Sequence, residues 1–546
     1  MNNKSYRNIF KWGNPTHEEI FDKEMLEFIK RAFSLSDSDI EEVFLPGHDE
    51  VKLKKKSRLT PTVINGLKNI VGENNVSLDD FDRAYHSYGK AYIDLLKLRL
   101  GKIDNPPDVV VYPRYEDDII KILQICNKGR IPITPFGGHS SVTRAIETPK
   151  RGISLDMTRY MNKVIKINEV NHTVSVQPGI TGPALEEYLN NHGEGYTCGH
   201  FPQSFEYSTV GGWVCTRGAG QASTGYGKIE DIVLSMRMVT PKGIITTKDY
   251  PAAALGPDID EILIGSEGTF GILTEITLKI RKYLPHNTGL SSFIFKDFPS
   301  AIIAMREVMQ GQFGKPYIFR VSDPEETDIS FEMKGESGKI SDRILQFLGY
   351  KPMSRCLMFI SVEGDHDYTR FVIKKIKKIA RKNGGFSIGS SPTIKWLKQR
   401  YTSSYLRDPL MDIGIMTDTL ETAVTWENLL PLWNSVRKYI KRRPNTLCMT
   451  HLSHCYENGA NLYFTFLSKM NKNNNIDDYK KFQKGIIDKI HVSGGSLSHH
   501  HGIGKMFSPW MKLEIGDIGL GLLQAIKNYF DNKGIMNPGG TLGMKN

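Results

Sequence analysis

The side chains best suited to chemistry stand late in the chain. His499, His500 and His501 follow one another between Gly494-Gly495 and Gly502. Imidazole titrates near neutral pH and serves as acid, base or metal ligand. Three in succession cannot all bury on one face of a strand, so a site is favoured over packing. A second group offers backbone rather than side chains: the glycine-rich segments PFGGHSS (135–141), STVGGWVCTRGAG (208–220) and GSEGTFG (265–271). Glycine lets successive amides approach an anion, and the hydroxyls of Ser140, Ser141, Ser208 and Thr209 add donors, so the expected ligand is a dinucleotide phosphate wrapped by loops. No G-x-G-x-x-G opens a helix after a strand and no G-x-x-x-x-G-K-[ST] is present, which argues against a Rossmann site or a P-loop. His451 and His454 lie near Cys455 without a further spaced pair, and hydrogen bonding is expected of them rather than zinc.

These residues need a scaffold, and 546 residues leave room for several compact units. Apolar residues at 39% and charged residues at 24% exclude collagen-like, coiled-coil and wholly disordered chains. A net charge of +11 favours acidic partners through the long-range field without naming one. Six dispersed cysteines without a C-x-x-C pair point to free thiols in a reducing compartment. The N-terminal stretch lacks the apolar core of a signal peptide and no window approaches the ~18 apolar residues of a spanning helix, so a cytoplasmic protein with at most peripheral membrane contact is expected.

Residues 1–105 read as a polar, helical lead-in, with apolar periodicity in 18–33 and 91–100. From Pro106 the pattern is a strand, an amphipathic helix and a second strand running into GGHSS, followed by short apolar strands between glycine turns to about 283. Strand and helix signals alternate over 284–480, and 481–546 closes the chain with helices and the histidine triplet. The fold class is α+β: a two-lobed cofactor domain (106–283), a substrate or cap domain (284–480), and helical terminal segments. The helix around 371–382 packs Ile373, Ile376 and Ile379 on a sheet and turns its lysines to solvent.

PFGGHSS, QSFEYSTVGGW, GSEGTFGILTE, GGSLSHHHGIGK and IMNPGG together resemble the FAD-dependent oxidoreductases of the vanillyl-alcohol-oxidase type, with its PCMH-type FAD-binding domain, over 106–546. Within that superfamily the chain is most similar to the alkylglycerone-phosphate synthase family. The resemblance implies exchange of the acyl group of acyl-dihydroxyacetone phosphate for a fatty alcohol, through a flavin N5 adduct and without net redox change. It implies that FAD is held by Pro135, Phe136, Gly137, Gly138, His139, Ser140 and Ser141 at the pyrophosphate. Gln203, Ser204, Phe205, Glu206, Tyr207, Ser208 and Thr209, then Cys215, Thr216, Arg217 and Gly218, then Gly265, Ser266, Glu267, Gly268, Thr269, Phe270 and Gly271 line the rest. Glu267 either bonds a ribose or caps a loop, and Trp213 packs in the core.

The same resemblance assigns catalysis to Tyr456, His499, His500 and His501, and binding of a substrate phosphate to Arg320 and Arg407, whose guanidinium fork suits a dianion. It also implies a homodimer, with a lipid or small-molecule phosphate as partner and no nucleic acid. The alternatives are an FAD-linked dehydrogenase of a 2-hydroxyacid or another alcohol, and a non-catalytic FAD-binding scaffold. The related D-2-hydroxyacid dehydrogenases draw metal ligands from motifs whose ligand positions are held here by His500, Tyr456 and Tyr463. Two phenols and an imidazole make a poor divalent site, so no metal is expected. His139 stands where the synthase pattern has glycine and resembles the covalently flavinylated histidine of berberine-bridge-type enzymes. Non-covalent FAD is favoured, since Pro135-Phe136 replace the arginine found there.

Overall fold

The computed structural model describes residues 4–14, 17 and 19–545. Three main sheets organise it. The first has the order Val76–Ser77, Val109–Val111, Ile153–Asp156, Ile133–Phe136. Strand Val109–Val111, helix Glu116–Gly129 and strand Ile133–Phe136 form the expected unit, but the two strands are not neighbours. Ile153–Asp156 lies between them and pairs parallel with both. Arg130, in the left-handed region, ends the helix by donating its amide to the Cys126 carbonyl.

The second sheet is antiparallel, with the order Val164–Asn168, Thr173–Val176, Ile272–Lys279, Val233–Thr240, Gly243–Thr246. The glycine segments lie in the connections between and beside these two sheets.

The third sheet is antiparallel and seven-stranded, with the order Phe386–Ser387, Thr288–Phe295, Cys356–Glu363, Ile318–Ser322, Leu447–Leu452, Gly459–Lys469, Ile415–Thr425. Helix His366–Lys382 buries Val372, Ile376 and Ala380, packs Ile373 and Ile379 against the core, and leaves its lysines outside, as the apolar spacing requires. Helices Trp426–Ile440 and Asn475–Val492 pack on each other and on this sheet.

The N-terminal helices are not a separate body. Tyr6, Ile9, Phe10, Tyr92 and Leu96 join the core of the third sheet, whereas Ile64, Leu67 and Val71 of helix Pro61–Val71 join that of the first. Helix Lys23–Phe33, capped by Asp22, sets Ile29 and Phe33 against Leu410, Ile413, Ile415 and Leu467. The lead-in therefore ties the two halves together across the cleft between them. All six cysteines are free, and no helix among the described residues is long and apolar enough to cross a membrane.

Candidate active site

Between the halves lies a cavity of about 760 Å³, within the range of small-molecule and cofactor sites. One wall is polar backbone. Pro135, Phe136, Gly137, Gly138, His139, Ser140 and Ser141 line it, with Gln203, Ser204, Ser208 and Thr209, Cys215, Thr216 and Gly218, and Glu267, Gly268 and Gly271. Glycine is required where these loops meet. A Cβ on Gly137 would stand 2.6 Å from Thr209 Oγ1, and one on Gly138 would run into the Tyr207 carbonyl. Both ring nitrogens of His200, which also lines the cavity, are buried without a protein partner, and burial lowers its pKa to about 3. A close-packed amide wall with unpaired polar atoms fits a dinucleotide.

Other residues expected at the cofactor lie behind this wall. Phe205 stacks on Tyr401 at 5.3 Å, and Glu206 accepts from the Tyr405 hydroxyl at 3.1 Å. The Tyr207 ring meets Trp12 edge-on at 5.2 Å. Arg217 is engaged by Glu261 at 2.6 Å, and its side chain packs where a Cβ on Gly265 would have to go. Thr269 donates to the Ser266 carbonyl, and Phe270 is core against Phe530. Of this set, Tyr207 and Ser266 each keep a buried hydroxyl without a partner. Segment periodicity does not say which alternate residues face a ligand. The turn 265–271 turns Glu267 and Gly268 inward and Thr269 and Phe270 away.

Glu267 caps a loop. Its carboxylate accepts from the amides of Ile503 (2.6 Å) and Gly504 (2.8 Å), fixing the turn after the histidine triplet; burial raises its pKa to about 7 against the pull of those amides. Trp213 is buried with its Nε1 donating to Ser208 Oγ at 2.8 Å, while part of its ring reaches the cavity. His139 holds a left-handed φ of 59°. Its ring turns from the loop to pack on Tyr85 (4.2 Å), and Nε2 meets the Tyr88 carbonyl at 2.8 Å.

The second wall carries the histidine triplet. Glu421, 1% exposed, lies beneath the triplet and accepts from the amides of His499 (2.6 Å), His500 (3.2 Å) and His501 (3.1 Å) and from Ser498 Oγ (2.6 Å). This one carboxylate shapes the turn that presents the imidazoles, and the sequence held no sign of it. Burial, reinforced by the neighbouring histidines, holds His499 and His500 well below the ordinary imidazole pKa; burial lowers His501 too, against the attraction of Glu421. All three are therefore neutral near pH 7 and able to accept a proton.

His500 and His501 line the cavity, whereas His499 and Tyr456 stand behind them. A hydrogen-bonded chain joins the layers: Tyr456 hydroxyl to His499 Nε2 at 2.6 Å, then His499 Nδ1 to His500 Nδ1 at 2.9 Å. The tyrosine on the cavity wall is Tyr463, seven residues on from Tyr456. In the sheet it lies directly between Glu421 and His451. Its ring stacks on His451 at 4.8 Å and on His500 at 5.9 Å. Burial raises its pKa to about 12, so it stays a phenol.

The two arginines both line the cavity but differ in partners. Arg320 is paired with Glu326 at 2.5 Å, which His451 also engages at 2.9 Å. Burial would raise the Glu326 pKa, but the charges of His451 and Arg320 hold it at about 2. Among the described residues Arg407 has no carboxylate partner: Nη1 donates to the Lys90 carbonyl at 2.7 Å, while Nε and Nη2 are buried and unpaired. Its guanidinium lies 4.8 Å over the Trp12 ring. The neighbouring Asp408 instead accepts from the Trp12 amide at 2.8 Å.

His454, His499 and His500 offer ring nitrogens within 4.8 Å of one another, the group among the described residues best able to hold a metal ion. Each ring already has protein partners, since His454 contacts the Gly220 carbonyl at 3.0 Å and Ser453 Oγ at 3.0 Å. The far end of the cavity is apolar, with Phe21, Met25, Phe28, Ile29 and Phe33 facing Leu406, Leu410, Leu447, Met449 and Leu467.

The FAD binding domain family matches residues 107–248, and the C-terminal domain of FAD linked oxidases matches 284–541. Alkyldihydroxyacetonephosphate synthase of Dictyostelium discoideum is 35% identical over 495 residues, covering 88% of this chain and 80% of that protein. The synthase of Trypanosoma brucei brucei is 32% identical, covering 88% and 81%. A solved alkyldihydroxyacetonephosphate synthase superposes with a TM-score of 0.82 at 29% identity, covering 97% of this chain and 98% of that one. The glycine wall, the neutral histidine triplet and these matches over nearly the whole chain lead to one conclusion: the chain belongs to the alkyldihydroxyacetonephosphate synthase family of FAD-dependent enzymes.

Proposed function

We propose that the protein converts an acyl-dihydroxyacetone phosphate and a fatty alcohol into the alkyl ether ketone and a fatty acid, with no net redox change. The observation that carries this reading is Arg407: a half-buried arginine whose Nε and Nη2 are buried without a partner, lining the same cavity as an apolar recess and the neutral imidazoles. A cation left so is costly without an anion, and a phosphate monoester supplies two oxygens to its fork. The recess formed by Phe28, Ile29, Phe33, Leu410 and Leu467 suits an alkyl chain.

FAD, when bound, would supply an electron-accepting ring. The chain's own residues do the rest. Arg407 holds the phosphate, whereas Arg320, which lines the same cavity, is already paired with Glu326. His500, kept neutral by burial, takes the proton from the carbon next to the carbonyl, and Tyr463 donates a hydrogen bond at the same wall. His499 and Tyr456 form the relay behind, and Glu421 fixes the geometry.

We read the flavin as non-covalently held, since the His139 ring is packed on Tyr85 and engaged by the Tyr88 carbonyl. Acid precipitation that leaves FAD on the protein and a mass increase of one FAD would overturn that. Homodimerisation is the oligomeric state of this reading, checked by sedimentation velocity. The central test is palmitoyl-dihydroxyacetone phosphate with labelled hexadecanol, which should give the labelled ether ketone. No product, with bleaching of the flavin by a 2-hydroxyacid, would refute the reading in favour of a dehydrogenase.

A further inference from the structure

Helix Ile340–Phe347 carries its apolar residues on the wrong side for a core helix. Ile340 is 78% exposed, Ile344 54%, Phe347 91% and Leu348 42%. Spaced at i, i+4, i+7 and i+8, they form one outward stripe. The inner side is anchored: Asp342 is buried against Arg355, and Leu345 packs on Ile294, Tyr350, Leu357 and Phe359. The stripe is therefore held out to solvent by a fixed element and is not a frayed turn.

Two features set this patch apart from the other exposed apolar strip, Leu513, Ile518 and Leu522 on helix Met511–Phe530. The first is charge. Around the stripe the exposed charges are four basic side chains (Lys334, Lys339, Arg343, Lys351), with Glu336 paired to Lys339, the Arg355–Asp342 pair being buried beneath it, whereas Lys512 shares its turn with Glu514 and Asp517. The second is place. Met333 and Lys334, which lead into the helix, line the cavity, as does Trp396, which packs on the same small core as Leu345.

We infer that the Ile340–Leu348 face docks on an anionic lipid bilayer, bringing the apolar end of the cavity to the membrane from which its long-chain substrates come. Apolar side chains at the acyl boundary with a lysine and arginine fringe are what such a surface requires. The choice of a bilayer rests on the lipid-substrate reading above; the surface itself does not.

The test is flotation of the full-length, FAD-loaded protein with phosphatidylcholine vesicles, with and without phosphatidylglycerol. Binding should need the anionic lipid and weaken with salt. Ile344→Asp/Phe347→Asp should reduce it about tenfold or more, with flavin content and turnover of a short-chain, water-soluble substrate unchanged. Leu513→Asp/Ile518→Asp should leave vesicle binding intact. Equal binding by wild type and the Ile344/Phe347 variant, binding lost only in the Leu513/Ile518 variant, or no binding to either vesicle would each overturn the inference. Turnover of the soluble substrate separately reports the proposed reaction, so the two can fail independently.

Discussion

Replacing Arg407 by lysine separates a phosphate anchor from a structural cation. In the structure the guanidinium spends one nitrogen on the Lys90 carbonyl, while Nε and Nη2 are buried and unpaired in a residue that lines the cavity. A lysine ammonium can hold the carbonyl or reach a phosphate, but it cannot present a planar fork to two oxygens while doing so. A charge-assisted hydrogen bond contributes about 1.5–3 kcal/mol, so losing one arm should weaken apparent affinity for the phosphorylated ketone by roughly 10- to 150-fold. Lysine keeps the positive charge over Trp12 and can still satisfy the Lys90 carbonyl, so melting temperature and FAD content should change little. The assay is steady-state kinetics against the phosphorylated ketone, with bound FAD measured by absorbance. Unchanged KM and kcat/KM in a variant of full flavin content would refute the assignment and make Arg407 a support for the Trp12 and Lys90 segments. The lysine should also be far less harmful at Arg320, where Glu326 already takes up the charge.

Tyr463→Phe should lower kcat by about 10²-fold or more, whereas Tyr456→Phe, which removes only the outer end of the relay, should cost much less; equal losses would return Tyr456 to the catalytic role the resemblance gave it. Glu421→Gln puts an amide where the triplet's backbone amides need an acceptor, so denaturant unfolding should show a loss of about 1–3 kcal/mol, with reduced turnover even where FAD is retained. Stability should fall as pH drops below the ordinary imidazole value of 6.5: His200 and His454 stay neutral in the fold to about pH 3 while the unfolded chain protonates. Each should therefore cost about 1.4 kcal/mol per pH unit in that window, and equal urea stability at pH 7 and at mildly acid pH would contradict the buried neutral histidines. Exhaustive chelation should leave turnover unchanged; a loss restored by one divalent ion would assign the cluster of His454, His499 and His500 to a metal.

The fold class and the glycine-rich wall of the cavity were legible because their signals are local. Glycine's missing side chain marks a close approach wherever it stands, as Gly137 and Gly138 do against Tyr207 and Thr209. Helix His366–Lys382 shows its buried side in its own spacing. The triplet was legible for the same reason, being three adjacent imidazoles. What the tertiary structure decided is which way side chains point and what pairs with them. Tyr456 and Tyr463 are both tyrosines on the stretch before the triplet, and only the register that sets Tyr463 between Glu421 and His451 places it on the cavity wall. Glu421 is an ordinary strand glutamate until residues 498–501, far along the chain, fold over it. Arg320 and Arg407 look alike in sequence; Glu326 neutralises the first, although its Nε stays unpaired, and among the described residues no carboxylate pairs with the second. Pairing across long chain separations depends on the packed core, and no periodicity within a segment records it.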